Sequence, residues 1–523
     1  MIKLYKLMRP YRYFIGFSLV LLLACIIRLA YFPSIPAGFN QDEAALGYDS
    51  YSLLHYGVDR NGYAFPVYPV SWGAGQGPFY LYFCIPFIAL FGNTVFAFRI
   101  GNALLGIVAV ICFYIMLKQS MAKRYALFGM LLLAIVPWHV FLSRWALDAN
   151  PLPSLFIIFL CFLFCGIKQG KSRYYILSVV FLTFCIYCYG AAWVVIPLFL
   201  LLTMPYLLYH KKINWKTLIL CIALFIVLCI PMFLFLLVNY AGFPEIRASF
   251  FSVPKLTVMR NESVFRTFET GLSDLTSGIK DYILMVFWQK PDFPWNSVEG
   301  FGVLYPISLP FILGGLGCTI WIVKLKQFCF EYIYLVLFIA ASVLGILIQP
   351  NINRGHIIFV PIICFMVISV KYASRCRKWI TILCFAAYLV CFCIFSRYYL
   401  QDYNKEISQS FYESFDEALK YTTNHSGDAQ KIYVTPDVNG GYLLVLYFTG
   451  YSPLDFANTV EYYDKNAEFR QALSFGQYIF QIPEEIKTDA SYIVPINDVA
   501  MFDENYFKIT KFKNYASIIP SKK

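Results

Sequence analysis

Apolar runs close to twenty residues long recur along the chain as far as residue 396, separated by short polar segments. They fall near 13–32, 96–117, 125–142, 150–167, 174–189, 190–209, 218–238, 303–323, 331–349, 356–371 and 379–396. Each approaches the roughly 20 residues a helix needs to cross a bilayer. The pattern predicts about eleven transmembrane helices, with the boundary at Gly190 resting on the need for a turn there. The first run is long and ten more follow, so it is expected to remain as a span rather than be cleaved as a signal peptide. Segment 33–95 is too long for a turn, and amphipathic pieces near 43–56 and 78–91 predict interfacial helices with Tyr and Phe toward lipid. A second long loop covers 239–302. After residue 396 the pattern changes. "SFYESFDEALKYTTNH" predicts an amphipathic helix, "KIYVTPD", "SYIVPIND" and "YFKITKFKNY" predict strands, and "GGYLLVLYFTG" a buried element. The expected domains are a transmembrane part, 1–396, and a small C-terminal extracytoplasmic α/β domain, 397–523.

Composition places the chain in the same class. It is 59% hydrophobic and 14% charged, and its mean hydropathy of +0.62 is that of a multi-span membrane protein. Charge then orients it. Segments 1–12, 118–124, 168–173, 210–217, 324–329 and 371–378 hold 19 Lys/Arg and no Asp/Glu. Basic short loops stay cytoplasmic, so the N-terminus is expected inside and, after an odd number of spans, the tail outside. Of the 13 acids in 1–396, all but Glu331 fall in segments that this orientation places outside. The net charge of +12 splits as +17 over residues 1–396 and −5 over 397–523, so it reflects topology rather than a nucleic-acid partner.

All sixteen cysteines precede Ser396 and lie almost wholly within the spans, where Cys acts as a small hydrophobe. A disulfide-stapled tail is therefore excluded, and no Cys/His spacing suggests zinc. "SWGAGQGPFYLYF" is rich in glycine but lacks the following Lys-Ser/Thr of a phosphate loop.

The polar residues that stand out lie at span ends. Asp42 and Glu43 follow the first span, Asp148 lies in the turn "SRWALDANP" together with Arg144, Arg99 opens the second span, and Arg354 lies in "QPNINRGH". Each has an ordinary explanation. Acids favour the first turn of a helix, and arginines snorkel at span ends. Together they place acids and arginines at one membrane face, which suits a proton acceptor and an anionic ligand.

The stretch Asn40-Gln41-Asp42-Glu43, with "GYDSYSLLHYGVDRNG", "GPFYLY", "LFGNTVFAFRIGNALLG" and "VPWHVFLSRWALDAN", resembles the C-type-fold membrane glycosyltransferases. The branch it is most similar to is the bacterial one related to protein O-mannosyltransferases and lipid A aminoarabinose transferases. The resemblance covers most of 10–400 and is strongest over 38–150. It implies Asp42 as catalytic base, Asp148 as an assisting acid, and Arg99 and Arg354 as binders of the donor phosphate; beside these, Glu43 is expected to support Asp42, and Arg144 and Tyr80 are further candidate substrate-binding residues. Where the relatives carry a His-Pro-Pro-Leu-Gly-Lys-like run or a Lys before the Pro, this chain reads "GQGPFYLYF", which leaves the sugar and the acceptor open.

The implied reaction transfers a sugar from a polyprenyl-phosphate donor to an acceptor hydroxyl of a glycan, lipid or protein at the outer face, with inversion. No cofactor is expected, although Asp42, Glu43 and Asp148 are acids of the kind a divalent metal would use. The competing reading is a transporter or flippase of a lipid-linked or anionic solute. Against it, the sequence has no inverted repeat with paired broken helices.

Overall fold

The computed structural model describes residues 11–71, 74–258, 271–377, 379–426, 431–467 and 469–521. The chain divides into two compact units. One comprises Met1–Phe32, Asn102–Ile230 and Asn261–Gln401, the other Pro33–Gly101, Pro231–Arg260 and Asp402–Lys523.

Every expected span coincides with an apolar helix. Among the described residues, eight helices are long and apolar enough to cross a membrane, and a bent pair, Lys123–Ile135 with Pro137–Arg144, makes a ninth if it counts as one span. The runs near 174–189 and 331–349 form shorter helices, Ser172–Cys188 and Glu331–Leu347. The chain is a multi-pass membrane protein.

The first unit is helical, and two of its long, largely buried helices are Pro151–Gln169 and Phe359–Cys376. Helix Leu309–Leu325 packs on the latter closely enough that a Cβ on Gly315 would come within 1.8 Å of the Phe365 carbonyl oxygen, the small-residue contact that apolar helices use in place of a hydrophobic driving force. The bend of 54° after Ile135 has a local cause. Pro137 has no N–H to donate to Leu133, and its ring crowds that carbonyl. The exposed carbonyls are taken up by Arg28, a fully buried side chain of the first span, which donates to Leu133 O at 3.4 Å and Ala134 O at 3.0 Å. The same guanidinium donates to His139 Nδ1 at 2.6 Å. A guanidinium only donates, so that nitrogen accepts. Arg28 thus satisfies backbone that the bilayer cannot.

The second unit joins two helices of the first long loop, Gln41–Tyr56 and Pro78–Phe91, to a seven-stranded mixed sheet. Across the sheet the strands run Phe507–Lys511, Tyr515–Pro520, Ser491–Pro495, Ile432–Val434, Tyr478–Ile479, Ala472–Phe475 and Glu461–Tyr462. Ile432–Val434 is parallel to both of its neighbours and the other pairings are antiparallel. The predicted tail helix is present as Phe415–His425 and the buried element as the helix Gly441–Thr449. One face of the sheet packs Tyr433, Tyr492, Val494, Phe502, Phe507 and Ile518 into a core.

Helix Gln41–Tyr56 differs from expectation. Its residues from Glu43 to Ser50 are all buried, and Tyr48 is wholly so. It packs between Pro78–Phe91 and Gly441–Thr449. The Tyr48 hydroxyl donates to Tyr451 O at 2.5 Å, so this tyrosine faces protein rather than lipid.

Candidate functional site

The acidic pair opens helix Gln41–Tyr56, and its two members have different surroundings. Asn40 caps the helix, its side chain accepting from Asp42 N at 2.9 Å. Glu43, at the third helical position, reaches back to accept from Asn40 N at 3.2 Å. This is a capping box, in which side chain and backbone satisfy two otherwise orphaned N–H groups. The role of helix cap, expected for the pair, therefore falls to Glu43. Asp42 is half-buried.

Glu43 has a second partner that no local pattern announces. Arg99, in helix Val95–Ser120, donates Nε to Glu43 Oε1 at 2.8 Å and Nη2 to Oε2 at 2.6 Å. The remaining donors of its fork go to Pro33 O at 3.2 Å, Pro36 O at 2.7 Å and Gly38 O at 2.8 Å. A guanidinium has five N–H bonds, and these contacts use all of them. Both side chains are 0% exposed. The Phe39 and Phe411 rings lie 5.6 and 5.9 Å from the guanidinium carbon. Arg99, expected to bind a donor phosphate, has no N–H left over for one; it ties the chain from Pro33 to Gly38 to the first turn of the acidic helix. Tyr80 is also buried, and its hydroxyl donates to the carbonyl of Phe98, the residue before Arg99.

Asp148, Arg144 and Arg354 belong to the other compact unit. Arg144 is fully buried and donates to Ile27 O at 2.5 Å and Ala30 O at 2.8 Å. It thus closes the C-terminal end of helix Arg12–Leu29, where carbonyls lack helical partners. Asp148 is 6% exposed, in the turn before helix Pro151–Gln169. Its backbone carbonyl accepts from Cys188 Sγ at 3.0 Å. Arg354 is half-buried in the short helix Ile352–Gly355. Asn351 caps that helix by accepting from Arg354 N at 2.8 Å, and Asp292 Oδ2 accepts from Ile352 N at 2.7 Å. Asn351 and Asp292 also line a cavity of about 560 Å³, with Asp274, Asp281 and Lys290. The structure thus gathers Asp42, Glu43, Arg99 and Tyr80 in one unit, and Asp148, Arg144 and Arg354 in the other.

One buried charge cluster escaped the sequence reading. Asp49 follows Asp42 by seven residues, which places it on the same helix face two turns on. It pairs with Arg60 at 2.9 Å, both side chains nearly inaccessible. Asp59 accepts from Asn61 N and Tyr63 N, each at 2.9 Å, and is itself fully buried. Burial pushes both carboxyls above the usual carboxylate range, Asp49 adds to the rise at Asp59, and Arg60 opposes both. The spacing from Asp42 was the available signal; the burial was not. Among the described residues, no group of three or more His, Cys, Asp or Glu is placed to hold a metal ion.

Comparison with known proteins adds to this geometry. Residues 75–235 match the family model of dolichyl-phosphate-mannose-protein mannosyltransferase. No curated protein sequence matches the chain at a significant level. ArnT from Cupriavidus metallidurans, solved bound to undecaprenyl phosphate, is similar in structure with a TM-score of 0.56 at 11% identity, over 96% of this chain and 97% of that one. The Archaeoglobus fulgidus oligosaccharyltransferase in its apo form has a TM-score of 0.52 at 13% identity over 84% of this chain. The chain spans 64% of the length of that archaeal enzyme. These likenesses reach well beyond the matched segment, into the tail. The chain therefore has the C-type fold of the membrane glycosyltransferases.

Proposed function

We propose that the protein transfers a sugar from a polyprenyl-phosphate donor to an acceptor hydroxyl at the extracytoplasmic face of the membrane, inverting the anomeric centre, with Asp42 as the base. The observation that carries this reading is the division of labour in the acidic pair. Both oxygens of Glu43 are committed to Arg99 and the helix cap, while half-buried Asp42 stands beside it at the head of the helix. The fold supports the reaction class: ArnT, which shares it, binds undecaprenyl phosphate, and the archaeal AglB binds dolichol phosphate together with an inhibitory peptide.

The chemistry follows from the compartment. Outside the cytosol, an activated sugar is most simply held on a lipid phosphate whose tail stays in the bilayer. As the acceptor oxygen bonds to the anomeric carbon, the bond from that carbon to the phosphate oxygen breaks and its electron pair leaves with the phosphate. The hydroxyl proton passes to the Asp42 carboxylate. A phosphate leaves without a general acid. A cation near the phosphate stabilises the charge that builds on it. Arg354 is the arginine assigned that task, because Arg99 and Arg144 are occupied with protein carbonyls and Glu43. Asp148 is assigned a supporting role. A divalent ion is not required by this scheme.

Asp42→Asn tests the reading in full-length protein supplied with a glycosyl polyprenyl phosphate. Asn keeps the shape but takes no proton near neutral pH, so turnover should fall by about a hundredfold or more, the usual worth of a general base. Donor binding should persist. Near wild-type turnover for Asp42→Asn beside an inactive Asp148→Asn would move the base to Asp148.

A further inference from the structure

The first residues of the tail are bonded to the segment that precedes the acidic pair. Asn404 accepts from Ala37 N at 2.9 Å and donates to Ser34 O at 2.9 Å. Phe411 O accepts from Phe39 N at 2.6 Å. Tyr447 stacks on the Phe39 ring at 4.6 Å. The approach is close enough to dictate a residue: Gly38 has φ +80°, and a Cβ there would lie 2.0 Å from Phe411 O and 2.8 Å from Glu413 N. Only glycine accommodates both the conformation and the contact. The tail backbone is itself in the left-handed region, with φ of 53° at Tyr412 and 70° at Ser414. Such non-glycine conformations persist where their surroundings hold them.

Segment 33–39 is thus gripped on two sides. Its carbonyls at Pro33, Pro36 and Gly38 bind Arg99, which binds Glu43. Its N–H groups at Ala37 and Phe39 bind the tail. The next residue, Asn40, caps the helix through Asp42 N. From these contacts we infer that tail segment 402–414 is a positioning element for Asp42, acting through residues 34–39 and the Arg99–Glu43 pair. The inference rests on the reading of Asp42 as base. It gives the tail a part in turnover rather than a separate binding task. Tyr412 lies near the end of this segment. Burial raises its phenol, the Asn439 backbone opposes the rise, and the Asp42 charge adds to it, which is consistent with a neighbour of Asp42.

The test uses the full chain in lipid nanodiscs, with Gly38→Ala and the milder Asn404→Ala. Two readouts are taken: amide hydrogen exchange over Phe39–Glu43, and turnover together with affinity for the polyprenyl-phosphate donor. Positioning predicts exchange at those amides faster by about tenfold or more, as local opening becomes easier. It also predicts turnover lower by about tenfold with donor affinity within about twofold of wild type. Combining Asn404→Ala with Asp42→Asn should cost no more than Asp42→Asn alone, because both act through one carboxylate. Unchanged exchange in both variants would overturn the inference, and so would losses that multiply in the double variant. If Asp42→Asn alone keeps normal turnover, the base assignment fails, and the exchange readout still decides whether the tail holds this turn.

Discussion

Replacing Arg99 by Met should cost stability before it costs ligand affinity. The variant removes five N–H donors, takes the cationic partner from the Glu43 carboxylate and leaves the carbonyls of Pro33, Pro36 and Gly38 without the guanidinium. Glu43 is 0% exposed, so water does not replace what is lost. Removing one member of a buried pair typically costs about 3–5 kcal/mol. Each orphaned carbonyl adds up to about 1 kcal/mol, and relaxation of the loop makes these contributions less than additive. The expected loss is therefore on the order of 4 kcal/mol, large against the roughly 5–15 kcal/mol that holds a typical fold. Arg99→Lys keeps the charge but loses the planar fork, and three rotatable donors cannot reach five sites. Its expected cost is about 2 kcal/mol, from acceptors left unmet. Glu43→Leu combined with Arg99→Met should be about 1–2 kcal/mol more stable than Arg99→Met alone, because no charge remains stranded, yet still below wild type with three carbonyls unpaired. The assay is reversible unfolding in mixed micelles at increasing SDS fraction, with donor affinity measured in parallel. A loss under about 1 kcal/mol for Arg99→Met, accompanied by weaker donor binding, would refute the reasoning and return Arg99 to the phosphate.

Other outcomes follow from the same structure. Arg354→Ala should weaken donor affinity by about tenfold or more while leaving thermal stability nearly unchanged, measured by donor titration and melting in detergent; unaltered affinity would place the phosphate elsewhere. Glu504 is exposed in the tail, so Glu504→Cys should react with an impermeant thiol reagent on intact cells; labelling only after lysis would put the tail in the cytosol. Burial, then the neighbouring Asp49, raise Asp59 from its ordinary 3.8 to about 7 in the folded protein. Its contribution to stability is thus full below pH 3.8 and is lost as pH rises through about 7. Asp59→Asn should flatten the decline in melting temperature over that window, and an unchanged slope would assign the pH dependence to another group.

The properties legible from sequence alone were those that depend on neighbours along the chain. A span is recognised because all its residues meet the same solvent, so the apolar runs located the membrane helices to within a few residues of their ends, as at Arg12–Leu29 and Ile380–Gln401. The alternating patterns after residue 396 announced strands, and those at Ser491–Pro495 and Phe507–Lys511 lie where alternation placed them. The acidic pair at a helix start was equally visible, since capping is a matter of three or four residues. Partner choice was not. Glu43 and Arg99 are 56 residues apart, Arg28 meets the backbone at Ala134 across 106, and Asn404 reaches Ala37 across 367. Nothing in the local pattern distinguishes an arginine that snorkels from one whose five donors are spent inside the protein. For the same reason, helix Gln41–Tyr56 reads as a surface element from its polar residues, yet is buried because Gly441–Thr449, some 400 residues later, covers it. The sequence determined which segments enter the bilayer and which carry acids. Only the tertiary structure decided which acid is locked in an ion pair, because that depends on where distant backbone carbonyls and a guanidinium converge.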